Sequence, residues 1–419
     1  MAKLKSGTRV YGTAGIDTSL TVGSGVTITT TSISVTGIIT APSIQSTSIQ
    51  STTVNATTVS ATTITGVTTA GITTAYIGSV NDGPLAGTRN RVINGDFEIW
   101  QRGTSVTYLN GSTAFYLADR WSGAPEYQNA RHQRVSVTSP IAGMTARYAL
   151  RASSSTSAEA ASGTRISLGQ KIENLNCYDL AGKQVTLSFY VKFSSATSSA
   201  SSGTYGNWQY YLAYDGTTTD ASFNTTSPPT STSSVYLNDG SLPTTWTKYT
   251  LTTTVPSGTN NISVRFQFDN LKNTSSADTT YYDITNIQLE SGTVATPFER
   301  RSYGQELALC QRYYERRTFN SSDTVGAGGA NTGNTAQPWC IFHWVTEKRA
   351  SPTCSLITAA STLQYMYRGN AFNATSFDAF LGSTPTTTAL TYTLGSASGT
   401  VGGWTRANGT LIFDASIEL

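Results

Sequence analysis

Between Asp17 and Asp82 the chain carries no Asp, Glu, Lys, Arg or His, and Thr, Ser, Gly, Ile and Val make up nearly all of it. Within this segment a branched apolar residue returns at every fifth position: Ile39, Ile44, Ile49, Val54, Val59 and Ile64. The phase then jumps by three residues to Val67 and resumes at Ile72 and Ile77. A period of five drifts around a 3.6-residue turn, and Thr and Val are mediocre helix formers, so an isolated helix does not fit. On a plain strand an odd period sends successive apolar residues to opposite faces. A short strand followed by a bend returns each one to the same side, yet leaves a single chain with one thin apolar line and nothing to bury it in. Several parallel copies around an axis bury all such lines together. Residues 21–84 are therefore expected to form an intertwined oligomeric β-stalk, most naturally a homotrimer, with those nine residues as its core. A flexible Ser/Thr linker and a glycosylated stalk are the alternatives. The regular Ile and Val argue against the first, and the scarcity of proline, with only Pro42, against the second.

The composition changes after GSVNDGPLAGTRN, where Gly78, Gly83, Pro84 and Gly87 mark a boundary. Turn-punctuated strand patterns follow: RYALRAS from Arg147, KQVTLSFYVKF from Lys183, NWQYYLAY from Asn207, TKYTLTTTV from Thr247, NISVRFQFD from Asn261 and TYYDITNIQLE from Thr280. Val185, Leu187, Phe189 and Val191 share one face of their strand, as do Ile262, Val264, Phe266 and Phe268 of theirs. The class is mainly β, and residues 85–300 read as a central antiparallel β-sandwich of jelly-roll type.

SYGQELALCQRYYERR breaks the pattern. Ser302 and Gln305 form an S-x-x-Q capping box, and a short joint helix is expected within residues 301–317. Residues 318–419 then read as a small C-terminal β domain, distal to the stalk. Its segment TVGAGGANTGNTAQP, residues 324–338, looks like a glycine-rich loop and lacks the GxxxxGK[ST] order of a phosphate cradle. Leu411, Phe413, Ala415 and Ile417 alternate as a final strand. Tyr365, Tyr367, Phe372 and Trp404 are candidate surface anchors.

Several function classes are set aside. A formal charge of +3 on 419 residues does not mark a nucleic-acid binder. No apolar run approaches the ~20 residues of a membrane span, and MAKLKSGTRVYG lacks the apolar core of a secretory signal. Synthesis in a cytoplasm without membrane insertion is expected. Cys177, Cys310, Cys340 and Cys354 form no CxxC pair. The two histidines, His132 and His343, cannot supply an HExxH zinc site; His132 is expected at an exposed strand start. Cys340 and His343 fall on opposite faces of one strand, so they do not make a nucleophile–base pair. Asp96 and Glu98, at i and i+2, are the nearest approach to a glycosidase carboxylate pair, but no long catalytic scaffold accompanies them. No enzyme is expected.

Three motifs carry a resemblance: NRVINGDFEIWQRG at 90–103, YLADRW at 116–121, and YYDITNIQLESGTVATPFERRSYGQELALCQRYYE at 281–315. Together they resemble bacteriophage tail fibre and related virion fibre proteins, including those of cyanophages. The stretch from AGKQVTLSFYVKF to IQLE is also similar to jelly-roll carbohydrate-binding modules. The resemblance implies a structural fibre of the virion. Residues 1–20 would attach to other virion proteins, the stalk would set distance, and the β domains would attach to the host surface, through glycan. A purely structural head-decoration, collar or tail appendage is the alternative. The resemblance also implies sugar-stacking aromatics, for which Trp100, Trp121, Trp208, Tyr210, Tyr214 and Trp246 are candidates, with Tyr365, Tyr367 and Trp404 in the distal domain. It further implies a calcium ion where the first strand meets the last, with Asn94, Asp96, Glu98 and Asp283 as oxygen ligands; ordinary salt bridges are the competing role for them.

Overall fold

The computed structural model describes residues 89–108, 115–126, 130–154, 165–195, 208–216, 231–237, 241–269, 281–331, 337–367, 370–394 and 403–418. The stalk residues Ile39, Ile44, Ile49, Val54, Val59, Ile64, Val67, Ile72 and Ile77, and the segment 1–20, lie outside them. No helix among the described residues is long and apolar enough to cross a membrane.

The first twelve strands are β1 (Ser105–Tyr108), β2 (Phe115–Tyr116), β3 (Ser122–Glu126), β4 (Ala130–Ser136), β5 (Tyr148–Ser154), β6 (Arg165–Ile172), β7 (Gln184–Phe193), β8 (Trp208–Asp215), β9 (Ser231–Leu237), β10 (Thr247–Thr254), β11 (Asn261–Asp269) and β12 (Tyr281–Ser291). They form two six-stranded sheets, ordered β1-β4-β5-β12-β7-β10 and β2-β3-β6-β11-β8-β9, and every pairing is antiparallel. Alternation explains the core between them. Val185, Leu187, Phe189 and Val191 of β7 meet Ile262, Val264, Phe266 and Phe268 of β11 in one buried cluster. Phe189 packs edge-on to Phe266 at 4.9 Å and to Tyr210 at 4.9 Å.

The segment 90–100 is not the first strand. It is an irregular plug that completes the sheet beside β12. β5 pairs with β12 only as far as Ile284, and β12 bulges between Thr285 and Gln288. Beyond the bulge the plug takes over: Arg91 N donates to Leu289 O, and Ile287 N donates to Gly95 O. Gly95 is required here, because a Cβ at that position would run into the Ile287 carbonyl. Asn94 and Phe97 adopt left-handed backbone, at φ 57° and 55°.

Helix α1 spans Tyr303–Gln311, with the Ser302/Gln305 capping box in place. It is shorter than the sequence pattern implied. Tyr314 onward pairs with the last strand instead, because burying Tyr314, Glu315 and Phe319 in a sheet outweighs helical continuation. The remaining strands are β13 (Tyr314–Phe319), β14 (Thr324–Asn331), β15 (Gln337–His343), β16 (Thr353–Leu356), β17 (Leu363–Tyr367), β18 (Asn370–Ser383), β19 (Thr387–Leu394), β20 (Gly403–Ala407) and β21 (Leu411–Ser416). β13-β21-β16 make a three-stranded sheet, and β14-β15-β19-β18-β17-β20 close into a barrel. The two share a core in which Phe413 stacks on Phe342 at 5.1 Å.

Two expectations are corrected. The glycine-rich stretch from Thr324 to Asn331 is a barrel strand, not a loop. Its glycines answer a packing demand: a Cβ on Gly326 or Gly328 would strike the backbone carbonyl of Ile341 or Trp339 on the neighbouring strand. His132 is buried at 2% exposure, edge-on to Tyr108, instead of lying at an exposed strand start. Burial pushes its imidazole down to about 3.

Candidate functional site

Most of the aromatic candidates in the sandwich are packing groups. Trp121, Trp208, Tyr210, Tyr214 and Trp246 are all buried, as is Tyr365 inside the barrel. Trp121 donates its indole N–H to Asn94 O at 2.9 Å, and Trp246 donates to Thr138 O at 3.1 Å. Their ring faces are spent on neighbouring side chains, so they offer no platform to a ligand. Trp100 is half-buried against the sandwich core, with its N–H given to Phe97 O. Tyr367 and Phe372 are half-buried against the barrel core. Of the named aromatics, Trp404 is the one with an open face, at 42% exposure.

The four candidate calcium ligands do not converge. Both Asp283 oxygens accept from Arg151, at 2.7 and 2.9 Å, with Lys192 at 3.5 Å. Glu98 holds Arg147 through both oxygens. The Asn94 side chain binds backbone: Oδ1 accepts from Ile99 N, and Nδ2 donates to Ile99 O and Asp119 O. Asp96 is buried, and burial with the nearby carboxylates of Glu306 and Glu98 pushes its carboxyl up to about 6. With the oxygens of Asp283 and Glu98 committed to separate arginines and the Asn94 side chain to backbone, these residues do not fit calcium. Among the described residues no group of three or more His, Cys, Asp or Glu is placed to hold a metal.

The three resemblance motifs instead meet at one buried polar joint between the sandwich, α1 and the C-terminal strands. Glu306 of α1 accepts from Asn94 N and from Arg301. Arg301 also donates to Val92 O and Asn90 O. Arg120 stacks over Tyr313 at 3.5 Å and donates to Lys171 O, while Arg102 stacks over Tyr314 at 3.3 Å. Gln101 donates to Tyr314 O at 2.8 Å and to Asp119. Ile93, Ile99, Cys310 and Tyr313 form the apolar seam beneath.

Both exposed tryptophans among the described residues are on the barrel. The register carries one row across five strands, Met366, Trp404, Ala327, Ile341 and Ala389, of which Met366 is buried. The neighbouring row carries Gly329, Trp339 and Thr391. Trp339, Ile341 and Trp404 are 43%, 42% and 42% exposed. A Cβ on Gly329 would sit 3.2 Å from Trp339 Nε1 and 3.4 Å from Cε2 and Cζ2, so the indole covers the glycine of the adjacent strand. Ala327, with only a methyl side chain, lies between the two tryptophans, whose Cα atoms are about 12 Å apart by strand spacing. Strands β14 and β15 bring no carboxylate or cation of Lys or Arg to this face. The nearest cation, Arg406, is held by Gln364 at 2.8 Å.

Trp339 and Ile341 were not among the sequence candidates. A signal existed. In QPWCIFH they alternate with Pro338, Cys340 and Phe342 and share a face with Gln337 and His343, which marks that face as outward.

No protein-family profile and no curated protein matches the chain. Solved structures do. The enzymatically active domain of tailspike protein 4 from bacteriophage CBA120 is 12% identical with a TM-score of 0.29, over 48% of this chain and 21% of that one. The match therefore spans about a fifth of the length of that solved domain. TmCBM61, solved with beta-1,4-galactotriose, is 13% identical with a TM-score of 0.27, over 49% of this chain and 99% of that one. The CBM22-2 xylan-binding domain from Paenibacillus barcinonensis Xyn10C is 16% identical with a TM-score of 0.22, over 41% and 91%.

Proposed function

We propose that this chain is a non-catalytic fibre subunit of a bacteriophage particle that attaches to host-surface carbohydrate. The observation that carries this reading is the outward pair Trp339 and Trp404 on a sheet face where β14 and β15 carry no Asp, Glu, Lys or Arg. Exposed indoles are costly in water, and an apolar face with polar edges nearby is what an amphipathic sugar ring complements. The charge-free pentad segment supports a projecting, multi-copy fibre. Three copies would let individually weak sites act together through effective concentration. No catalytic role is assigned: Glu306 is held by Arg301 in the joint, Asp283 by Arg151 in the sandwich, and Asp96 and Glu98 stand on an irregular plug with Glu98 held by Arg147.

A second reading, a purely structural appendage of the virion, is favoured by one observation. The motifs that carry the fibre resemblance serve the buried joint. The deciding experiment is the purified full chain on a printed oligosaccharide array, with its native mass measured by light scattering. Saccharide-specific retention by a multimer supports attachment. A multimer that binds nothing while co-purifying with particles supports the structural role.

A further inference from the structure

We infer that the outward face of β20, β14 and β15 is a subsite for a neutral oligosaccharide, with one pyranose ring lying on Trp339 and another reaching Trp404 across Ala327. This rests on the attachment reading above and names the site and the ligand chemistry within it.

Three features of the face select the occupant. The first is ring placement. Because Gly329 lacks a side chain, the Trp339 indole reaches over it, with Nε1, Cε2 and Cζ2 at 3.2–3.4 Å from where a Cβ would stand, and the residue stays 43% exposed to an incoming ring. The second is span. The Cα atoms of the two tryptophans stand roughly 12 Å apart by strand spacing, with Ala327 between the indoles and Gly329 beneath that of Trp339, which leaves a shallow track running over both. A chain of linked rings can lie along it, contacting each indole through axial C–H groups while its equatorial hydroxyls stay hydrated. The third is charge. No carboxylate or ammonium stands on β14 or β15, so the ground around Trp339 is uncharged; Arg406, two residues beyond Trp404 on β20, gives its Nε to the neutral Gln364 and keeps its charge at the far end of the face. Its polar neighbours are Gln337 and Thr391, neutral groups in register beside Trp339 or two residues from it.

Gly329 is then a positioning residue. A β-branched side chain there would push the indole out of that place while leaving the tryptophan in the chain.

The test uses the full chain on an array that sets neutral hexose oligomers (cellohexaose, mannohexaose, β-1,4-galactotetraose) beside charged ones (polysialic acid, oligogalacturonate). Titration with the strongest neutral oligomer follows. Trp339→Ala and Trp404→Ala should each weaken binding at least tenfold, Gly329→Val should do the same, and Trp339→Phe should restore most of it. If the wild type binds neutral oligomers and the alanine variants bind them equally well, this site is wrong and the attachment reading survives. Binding confined to charged oligomers also overturns the site. If no oligomer binds and Trp339→Ala with Trp404→Ala lowers the native mass, the face is a contact between copies, and both readings fall. Should a variant not fold, the wild type still answers. Bound oligomer must protect Trp339 from N-bromosuccinimide oxidation, read by peptide mass, and unprotected Trp339 in a saturated sample refutes the site.

Discussion

Arg120 and Glu418, 298 residues apart in the chain, face each other at 2.5 Å with side chains 2% and 5% exposed. The pair closes the joint between the sandwich and the strands that follow α1. Arg102 approaches the same carboxylate at 3.2 Å, so Glu418 sits between two guanidiniums that are themselves stacked on Tyr313 and Tyr314. The desolvation of Arg120 is tolerable only because this carboxylate, the Lys171 carbonyl and the Tyr313 ring together replace water.

Removing that carboxylate charge should therefore be expensive. Glu418→Gln leaves Arg120 buried against neutral partners, and a loss of about 3 kcal/mol is expected. Urea denaturation reports it as a lower midpoint. Proteolysis should show the first cuts near α1 and β13, where the joint opens. A variant with an unchanged midpoint and cutting pattern would mean that Arg120 is held well enough without its ion pair.

Asp96 gives a pH prediction. Its folded carboxyl, at about 6, lies above the unfolded value near 4, so the folded state binds the proton more tightly. This group therefore favours folding below about pH 4 and opposes it as pH rises through 6. The groups facing it are Glu306 and Glu98, which raise it, and Arg300, which lowers it. Asp96→Asn removes the opposed charge. At pH 7.5 the variant should be more stable than the wild type by about 2–3 kcal/mol, and the gain should vanish near pH 4. Denaturation midpoints at the two pH values check the sign.

The parts of the fold visible in the sequence are those set by local pattern. Period-two alternation exposes β7, β8 and β11, since a sandwich strand buries one face regardless of which strands flank it. The Ser302/Gln305 cap is legible because both partners lie within one turn. What escaped is set at long range. Nothing local to NRVINGDFEIWQRG says that Asn94 will bind the Asp119 backbone, or that Glu306 will receive its N–H. The plug was therefore open to being read as a ligand set. β14 was misread because glycine usually marks turns, whereas here it permits close approach of Ile341 and Trp339 backbone. Sequence names Trp404 as one of four candidate surface anchors, with Tyr365, Tyr367 and Phe372, but its pairing with Trp339 depends on barrel register, which joins β20 to β14 and β14 to β15.

Lys348 and Glu315 form a buried pair at 2.6 Å with both side chains 0% exposed. Lys348 also donates to Thr346 O, while Glu315 accepts from Val345 N and Thr346 N. Lys348→Met leaves the buried carboxylate with Arg317, 3.7 Å away, as its remaining cation and should cost about 3 kcal/mol. Adding Glu315→Gln removes the poorly compensated charge and keeps an oxygen for Val345 N, so the double variant should recover more than half of the loss. A double-mutant cycle by urea denaturation measures the coupling; additive losses would show that the two side chains act independently.

Gly328 tests the closure of the barrel. Its missing Cβ would collide with the Trp339 carbonyl, so Gly328→Ala must push β14 away from β15 at the centre of their pairing. The backbone cannot yield there without losing hydrogen bonds on one or both sides, since β20 pairs with the same residue through Gly403. The expected result is a molecule whose sandwich keeps its aromatic near-UV signal while the barrel becomes protease-sensitive between β14 and β20. The same substitution at Gly382, where nothing stands within 4 Å of the added carbon, should be close to neutral. If both variants resist protease equally, the glycines of β14 serve chain flexibility in folding and not the close approach of strands in the closed barrel.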